Sequence, residues 1–378
     1  MSMIGKSYWL GTTILAGVVA ATDPAAAGPL ARGDDLSVKL SGSYRVNAAV
    51  VDQGFRSGFG RGYALKVDSA TVKLDAAAKT GAGVQYGLRL ELLTNTSSST
   101  NADEAFAFLN TAWGRVELGD QDDAAVRMHV EADNVMVGRV GFSGDVADFF
   151  KFGAGGAVAT PVLSQTGDAS KIIYFTPRFE GLQLGASFAP DSGANGASFA
   201  ETDNDGDFEN VVSVGLNYAT KRDGVSLLLS LVGEFGDDED ATGAETPGDV
   251  ETVAIGGTAK FWGFAVGAGY VDLGHKGLSA MDIAAGADAG AHWNAAAAYR
   301  HGPWGVSLGY FSSTKGQPAG RGGDTTVDVV SVDGSFNAAP GWQVALSVNF
   351  VEAANINGTT TPVDNNGSVV ILSNIFRF

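Results

Sequence analysis

The residues with the most chemistry to offer gather in one segment of about fifty residues, 122–169. Asp122, Asp123, Glu131, Asp133, Asp145 and Asp148 fall there, with Arg127, His129, Arg139 and Lys151 between them. Charges at that density set up a strong local field. Catalytic readings find less support. The four histidines, His129, His275, His292 and His301, are not spaced as metal ligands, which argues against zinc. No strained strand-to-helix turn presents a serine nucleophile. Gly153-Ala154-Gly155-Gly156 lacks the lysine of a phosphate-binding loop, so its glycines are expected to let the segment turn sharply. The run Asp203-Asn204-Asp205-Gly206-Asp207 offers Asp203, Asp205 and Asp207 as weak calcium ligands, without the sixth-position glycine of a helix-loop-helix site. The expectation is no enzyme activity, no metal centre and no cofactor, apart from divalent cations at the acidic loops.

Something has to position these residues, and the sequence shows one repeating element. From Gly33 onward apolar residues alternate with small or polar ones for eight to twelve positions, a turn follows, and the alternation resumes. Trp342–Phe350 puts Trp, Val, Leu, Val and Phe on one face and Gln, Ala, Ser and Asn on the other. Period two means strand, and one apolar face per strand means an antiparallel sheet. No stretch of helical period stands out. Connections alternate between short ones rich in glycine, proline or charge, such as Thr80–Gly83 and Lys221–Gly224, and long polar ones, such as residues 191–210 and 236–249. Counting runs gives about sixteen strands.

Composition narrows the class. The chain has 378 residues, no cysteine and a formal charge of −18, which argues against nucleic acid and anionic membrane surfaces as partners. Lys6, the apolar run Tyr8–Ala21 and Ala25-Ala26-Ala27 read as a secretory signal, residues 1–27, cleaved after Ala27. Residues 28–378 then form a single transmembrane β-barrel domain.

A barrel of sixteen strands is too wide for its own side chains to fill, so its interior is expected to be wet and its apolar face to meet lipid. Trp262, Phe264, Tyr299, Trp304, Phe336 and Trp342 flank short turns, as an interfacial aromatic girdle does. If Leu40, Tyr44, Val72, Leu74, Leu88 and Leu90 face lipid, parity turns Lys39, Arg45, Lys73 and Arg89 toward the lumen. Lipid-facing cations would cost about 2–4 kcal/mol each at the midplane.

Thr111–Gln121, Ser170–Leu182 and the terminal strand ending Ile375-Phe376-Arg377-Phe378 give the mature chain a resemblance to the general porins of Gram-negative bacteria. The resemblance implies an outer-membrane homotrimer of sixteen-stranded barrels, with short periplasmic turns and long extracellular loops. Its third long loop, here about 122–169, would fold into the lumen as a constriction. It also implies that the loop carboxylates oppose the wall cations Lys39, Arg45, Lys73 and Arg89, and that Phe376 and Phe378 signal to the barrel-assembly machinery. The expected function is passive diffusion of small hydrophilic solutes and ions with a preference for cations, in contact with outer-membrane lipid and lipopolysaccharide. A substrate-specific channel, a barrel enzyme and an envelope anchor are the alternatives.

Overall fold

The computed structural model describes residues 36–55, 61–95, 102–138, 141–142, 145–164, 166–193, 207–238 and 248–378. The expected signal peptide, Arg139, Asp203 and Asp205 lie outside the described residues. Sixteen strands follow the short-turn, long-loop rhythm. They are β1 (Ser37–Gln53), β2 (Tyr63–Lys79), β3 (Gln85–Leu93), β4 (Ala102–Thr111), β5 (Gly114–Asp120) and β6 (Ser170–Phe175). Next come β7 (Leu182–Asp191), β8 (Phe208–Arg222), β9 (Val225–Asp238), β10 (Val250–Phe261) and β11 (Phe264–Asp272). The last are β12 (Ala291–His301), β13 (Trp304–Lys315), β14 (Thr325–Ala339), β15 (Trp342–Ala354) and β16 (Asn365–Arg377).

Each strand pairs antiparallel with its neighbours in sequence, and β1 pairs with β16 from Ser43↔Arg377 to Gln53↔Gly367, so the barrel closes without an edge. Closure matters because an unpaired backbone edge cannot be hydrated inside lipid. At the seam Gly42 N–H donates to the Phe378 carbonyl (2.9 Å) and Phe378 N–H returns the bond (3.1 Å). Several short turns are two-residue hairpins with both φ positive: Glu180-Gly181 (47°, 94°), Asp223-Gly224 (50°, 82°) and Trp262-Gly263 (49°, 88°). That geometry matches the right-handed strand twist.

The outward face is apolar and exposed along its length, with Leu40, Leu184, Leu231, Ile255, Leu308 and Leu346 among the exposed residues. Aromatics cluster at the short-turn rim, where Trp304 meets Phe336 (4.4 Å between centroids) and Phe264 meets Tyr299 (4.6 Å) in tilted contacts, and Trp342 stacks on Phe376 (5.8 Å).

Two short helices interrupt the strand rhythm, α1 (Ala124–Met128) and α2 (Ala280–Ala284), where no helical period was expected. Five residues are about a turn and a half, too short to print a period. Their starts are set instead by caps: the Asp123 and Ser279 side chains accept from the third backbone N–H beyond them.

The interior also departs from the expectation of a wet lumen. The described residues of the third long loop (L3, 121–169) run inside the barrel and pack on β7–β16. Met136, Phe142, Val146, Phe149 and Phe150 of L3 join Phe311, Val327, Val329, Val351, Ile356 and Ile371 in one buried apolar cluster. Strand side chains alone cannot fill so wide a barrel, but a fifty-residue loop supplies the missing volume.

Candidate functional site

L3 is almost free of regular structure, so its buried N–H and C=O groups must find partners elsewhere. The inner face of the barrel provides them. Ser187 on β7 accepts from Ala124 N–H, Ser230 on β9 from Val130 N–H (2.9 Å), Asn294 on β12 from Ala132 N–H (2.9 Å) and Ser307 on β13 from Val137 N–H (3.0 Å). Arg300 donates to the Val135 and Met136 carbonyls (2.8 and 3.0 Å). Asn365 on β16 donates to the Lys151 carbonyl (2.8 Å). Ser307 stands in a Gly-x-Ser-x-Gly run, Gly305–Gly309, but that run is extended mid-strand and its hydroxyl anchors L3 and bonds Asp333.

Glycines on the same face let the loop come close. A Cβ on Gly256 would lie 1.9 Å from the Val130 carbonyl oxygen, one on Gly185 2.4 Å from Met128 Sδ, and one on Gly309 2.6 Å from the Phe142 ring. With L3 seated on β7–β16, the accessible inner surface is that of β1–β5.

The acidic residues of L3 are placed in different environments. Asp123 is fully buried and binds both arms of the loop, accepting from Val126 N–H (3.0 Å), Ser164 Oγ (2.8 Å) and Thr166 Oγ1 (3.1 Å). Burial opposes its ionisation. The hydrogen bonds shared with Glu234, Val126 and Ser164, and the Lys171 charge, outweigh burial and hold the carboxyl below the usual carboxylate range. Glu131 is also buried. It accepts from Asn294 Nδ2 (2.6 Å) and lies 3.6 Å from His129. Burial again acts against the charge, but His129, His292 and Asn294 prevail and hold the carboxyl down at about 2. These two acids face the wall and latch the loop. Asp133 sits in a 3₁₀ turn beside them, and Asp145 begins a second such turn, Asp145–Asp148. Asp148 reaches across to Lys66 on β2. Asp122 meets Glu104 and Asp168, with one carboxylate oxygen from each lying within 4.8 Å of the others. The remaining calcium candidate, Asp207, lies next to the start of β8.

On the wall, Arg45, Lys73 and Arg89 point inward, each against an acid on an adjacent strand. Arg45 pairs with Asp68, Lys73 with Glu91, and Arg89 with Asp75 (2.7 Å). Lys39 is exposed near the short-turn end of β1. Two cations that parity counting did not single out complete the set. Arg115 on β5 and Arg127 of L3 share the fully buried Glu117, and their guanidiniums lie over the Phe108 (4.1 Å) and Phe175 (4.8 Å) rings. The signal for Arg115 was present in its odd-numbered position on β5. Arg127 had none, because an irregular loop has no parity. Phe376 and Phe378 close the barrel seam, Phe376 stacked on Trp342 and in tilted contact with Tyr44.

The sequence model of Gram-negative porins matches residues 11–355. An uncharacterized protein of Rickettsia conorii is 24% identical over 83% of this chain and 85% of its own length, and one of Rickettsia prowazekii is 24% identical over 83% and 86%. Among solved structures, an anion-selective porin from Comamonas acidovorans superposes with a TM-score of 0.62 at 17% identity, covering 91% of this chain and 100% of that one. The outer membrane channel DcaP of Acinetobacter baumannii gives 0.61 at 13% identity, over 91% and 98%. The trimer form of OmpT, an outer membrane protein of Vibrio cholerae, gives 0.58 at 12% identity, over 91% and 100%. At these identities the likeness to solved structures speaks for the fold.

Proposed function

The chain belongs to the Gram-negative porin family and is an outer-membrane channel, and from that premise we propose that it is a non-enzymatic, cation-preferring diffusion pore acting as a homotrimer. The observation that carries the preference is the charge pairing on β1–β5. Arg45, Lys73, Arg89 and Arg115 all meet carboxylates, while Glu104, Asp122 and Asp168 add a cluster of acids on the same side. A cation passing along this wall meets fixed dipoles and a surplus of negative charge, and an anion meets few uncompensated positive groups. The transverse field of the constriction runs chiefly between neighbouring strands, with Asp148–Lys66 and Arg127–Glu117 as its crossings from L3.

Export by a cleaved signal, residues 1–27, belongs to the same reading, as does barrel assembly through the terminal Phe376 and Phe378. So do contacts of the outer face with lipid and of the acidic loops with lipopolysaccharide through divalent cations. Trimerisation is supported by the OmpT trimer among the structural neighbours. The test is the reversal potential of single channels in a planar bilayer under a potassium chloride gradient. A potential favouring potassium, reduced when Glu104 and Asp122 are replaced by Asn or Gln, fits the proposal. A potential favouring chloride refutes the preference and makes the wall cations dominant, and a folded barrel without conductance refutes the pore.

A further inference from the structure

At the long-loop end, four loops are stitched into a roof beside the pore mouth: L3, residues 273–290 (L6), residues 316–324 (L7) and residues 355–364 (L8). Gly155 N–H donates to the Ile356 carbonyl (2.7 Å), Asp288 N–H to the Gly316 carbonyl (3.2 Å) and Ala319 N–H to the Ala285 carbonyl (2.8 Å). Gln317 ties L7 to L3 through the Gly155 carbonyl (3.0 Å). Between them lies a cavity of about 220 Å³, lined by Gly155, Gly156, Asp282, Lys315, Gln317 and Arg321 among others.

The charged groups here differ from those of the wall. Arg45, Lys73, Arg89 and Arg115 are each ion-paired. The Lys315 ammonium, the Arg321 guanidinium and the Asp282 carboxylate line this cavity with no side-chain hydrogen bond or close ion pair among the described residues, and Asp282 acts on Lys315 only through space. Lys315 is half-buried and held against the L3 backbone. Gly156, at φ +71°, is the L3 residue next to the Lys315 ammonium. The half-buried ammonium has open donors facing the cavity, with Asp282 as a counter-charge on the same lining.

We propose that this vestibule cavity is a binding site for a small solute bearing an oxyanion, a carboxylate or a phosphate. Lys315 supplies a point charge and Arg321 a planar fork that matches two oxygens of either group. Asp282 accepts from a hydroxyl or ammonium elsewhere on the solute, which selects polar, compact molecules over inorganic chloride. The size suits an amino acid or a short dicarboxylate. Such a site lets a pore whose wall favours cations still collect anionic nutrients at its outer mouth. It depends only on the cavity and is independent of the pore's overall preference.

The test uses the folded, purified protein in detergent. Calorimetric titrations with glutarate and with inorganic phosphate distinguish the two oxyanion sources, with glycerol as the uncharged control. Saturable binding of either anion is expected, weakened at least tenfold in Lys315→Gln and Arg321→Gln, while Arg222→Gln in an exposed hairpin binds as wild type. Arg321 is exposed, so its variant decides the matter if Lys315→Gln does not fold. Absence of saturable binding by both anions overturns the proposal, as does wild-type binding by Arg321→Gln or equal binding of glycerol. Reversal potentials of the same variants should still favour potassium, which keeps this test separate from that of pore selectivity.

Discussion

Replacing Gly256 by alanine should unseat the constriction loop without opening the barrel. The new Cβ would lie 1.9 Å from the Val130 carbonyl oxygen, a backbone atom that no rotamer change can move aside. L3 must therefore retreat from β10 by at least about 1 Å to restore ordinary contact. Retreat breaks the Val130 N–H bond to Ser230 Oγ (2.9 Å) and exposes Val130, which is fully buried. The hydrogen bond is worth about 1 kcal/mol and the valine burial about 1.5–3 kcal/mol. The sum, about 2.5–4 kcal/mol of docking energy, raises the undocked population by roughly two to three orders of magnitude. The open side of the lumen is the wall of β1–β5, so the loop moves into the solute path. Mean single-channel conductance should fall, open-channel noise should rise, and proteases should cut L3 in the folded barrel. Gly334→Ala is the matched control: Gly334 is also a strand glycine, and a Cβ there meets nothing within 4 Å. If Gly256→Ala matches Gly334→Ala in conductance, noise and protease resistance, the argument that wall glycines seat the loop is wrong.

Three further outcomes follow from the same geometry. Glu131 is held at about 2, below the usual carboxylate value of about 4.3, so its contribution is intact above that value and is lost as pH falls toward 2. Pepsin cleavage of L3 should rise between pH 4 and 2 in wild type, and Glu131→Gln should show a smaller step, the remainder belonging to the Asp123 latch. Leu308→Arg puts a cation on the exposed lipid face in mid-β13 and should cost about 2–4 kcal/mol in urea titrations in lipid vesicles. Deleting Phe378 removes two backbone hydrogen bonds to Gly42 at the seam, about 2 kcal/mol together, and should lower the temperature at which the barrel loses its heat-resistant electrophoretic mobility.

The period-two pattern by itself determined the strands, their approximate number, the lipid-facing side and the alternation of short turns with long loops. Each of these follows from local geometry: side chains alternate across a strand, and lipid admits only one kind of face. Parity likewise turned Arg45, Lys73 and Arg89 inward. Parity could not say what those inward groups would meet. The serines, asparagines and glycines on the inner face of β7–β13 carry no mark of a role in the sequence, yet Ser230, Asn294, Ser307 and Gly256 are the seat of L3. A polar residue next to water and one next to an irregular backbone look the same in sequence, because both need only a hydrogen-bonding partner. For the same reason Asp123 and Glu131 read as constriction acids, and only the path of the loop turned them toward the wall as latches. The pairing of Arg115 and Arg127 on Glu117, and the meeting of Lys315, Arg321 and Asp282 around one cavity, join residues from separate strands and loops. Such contacts are set by how a long irregular segment packs inside a closed sheet, and no local period encodes that.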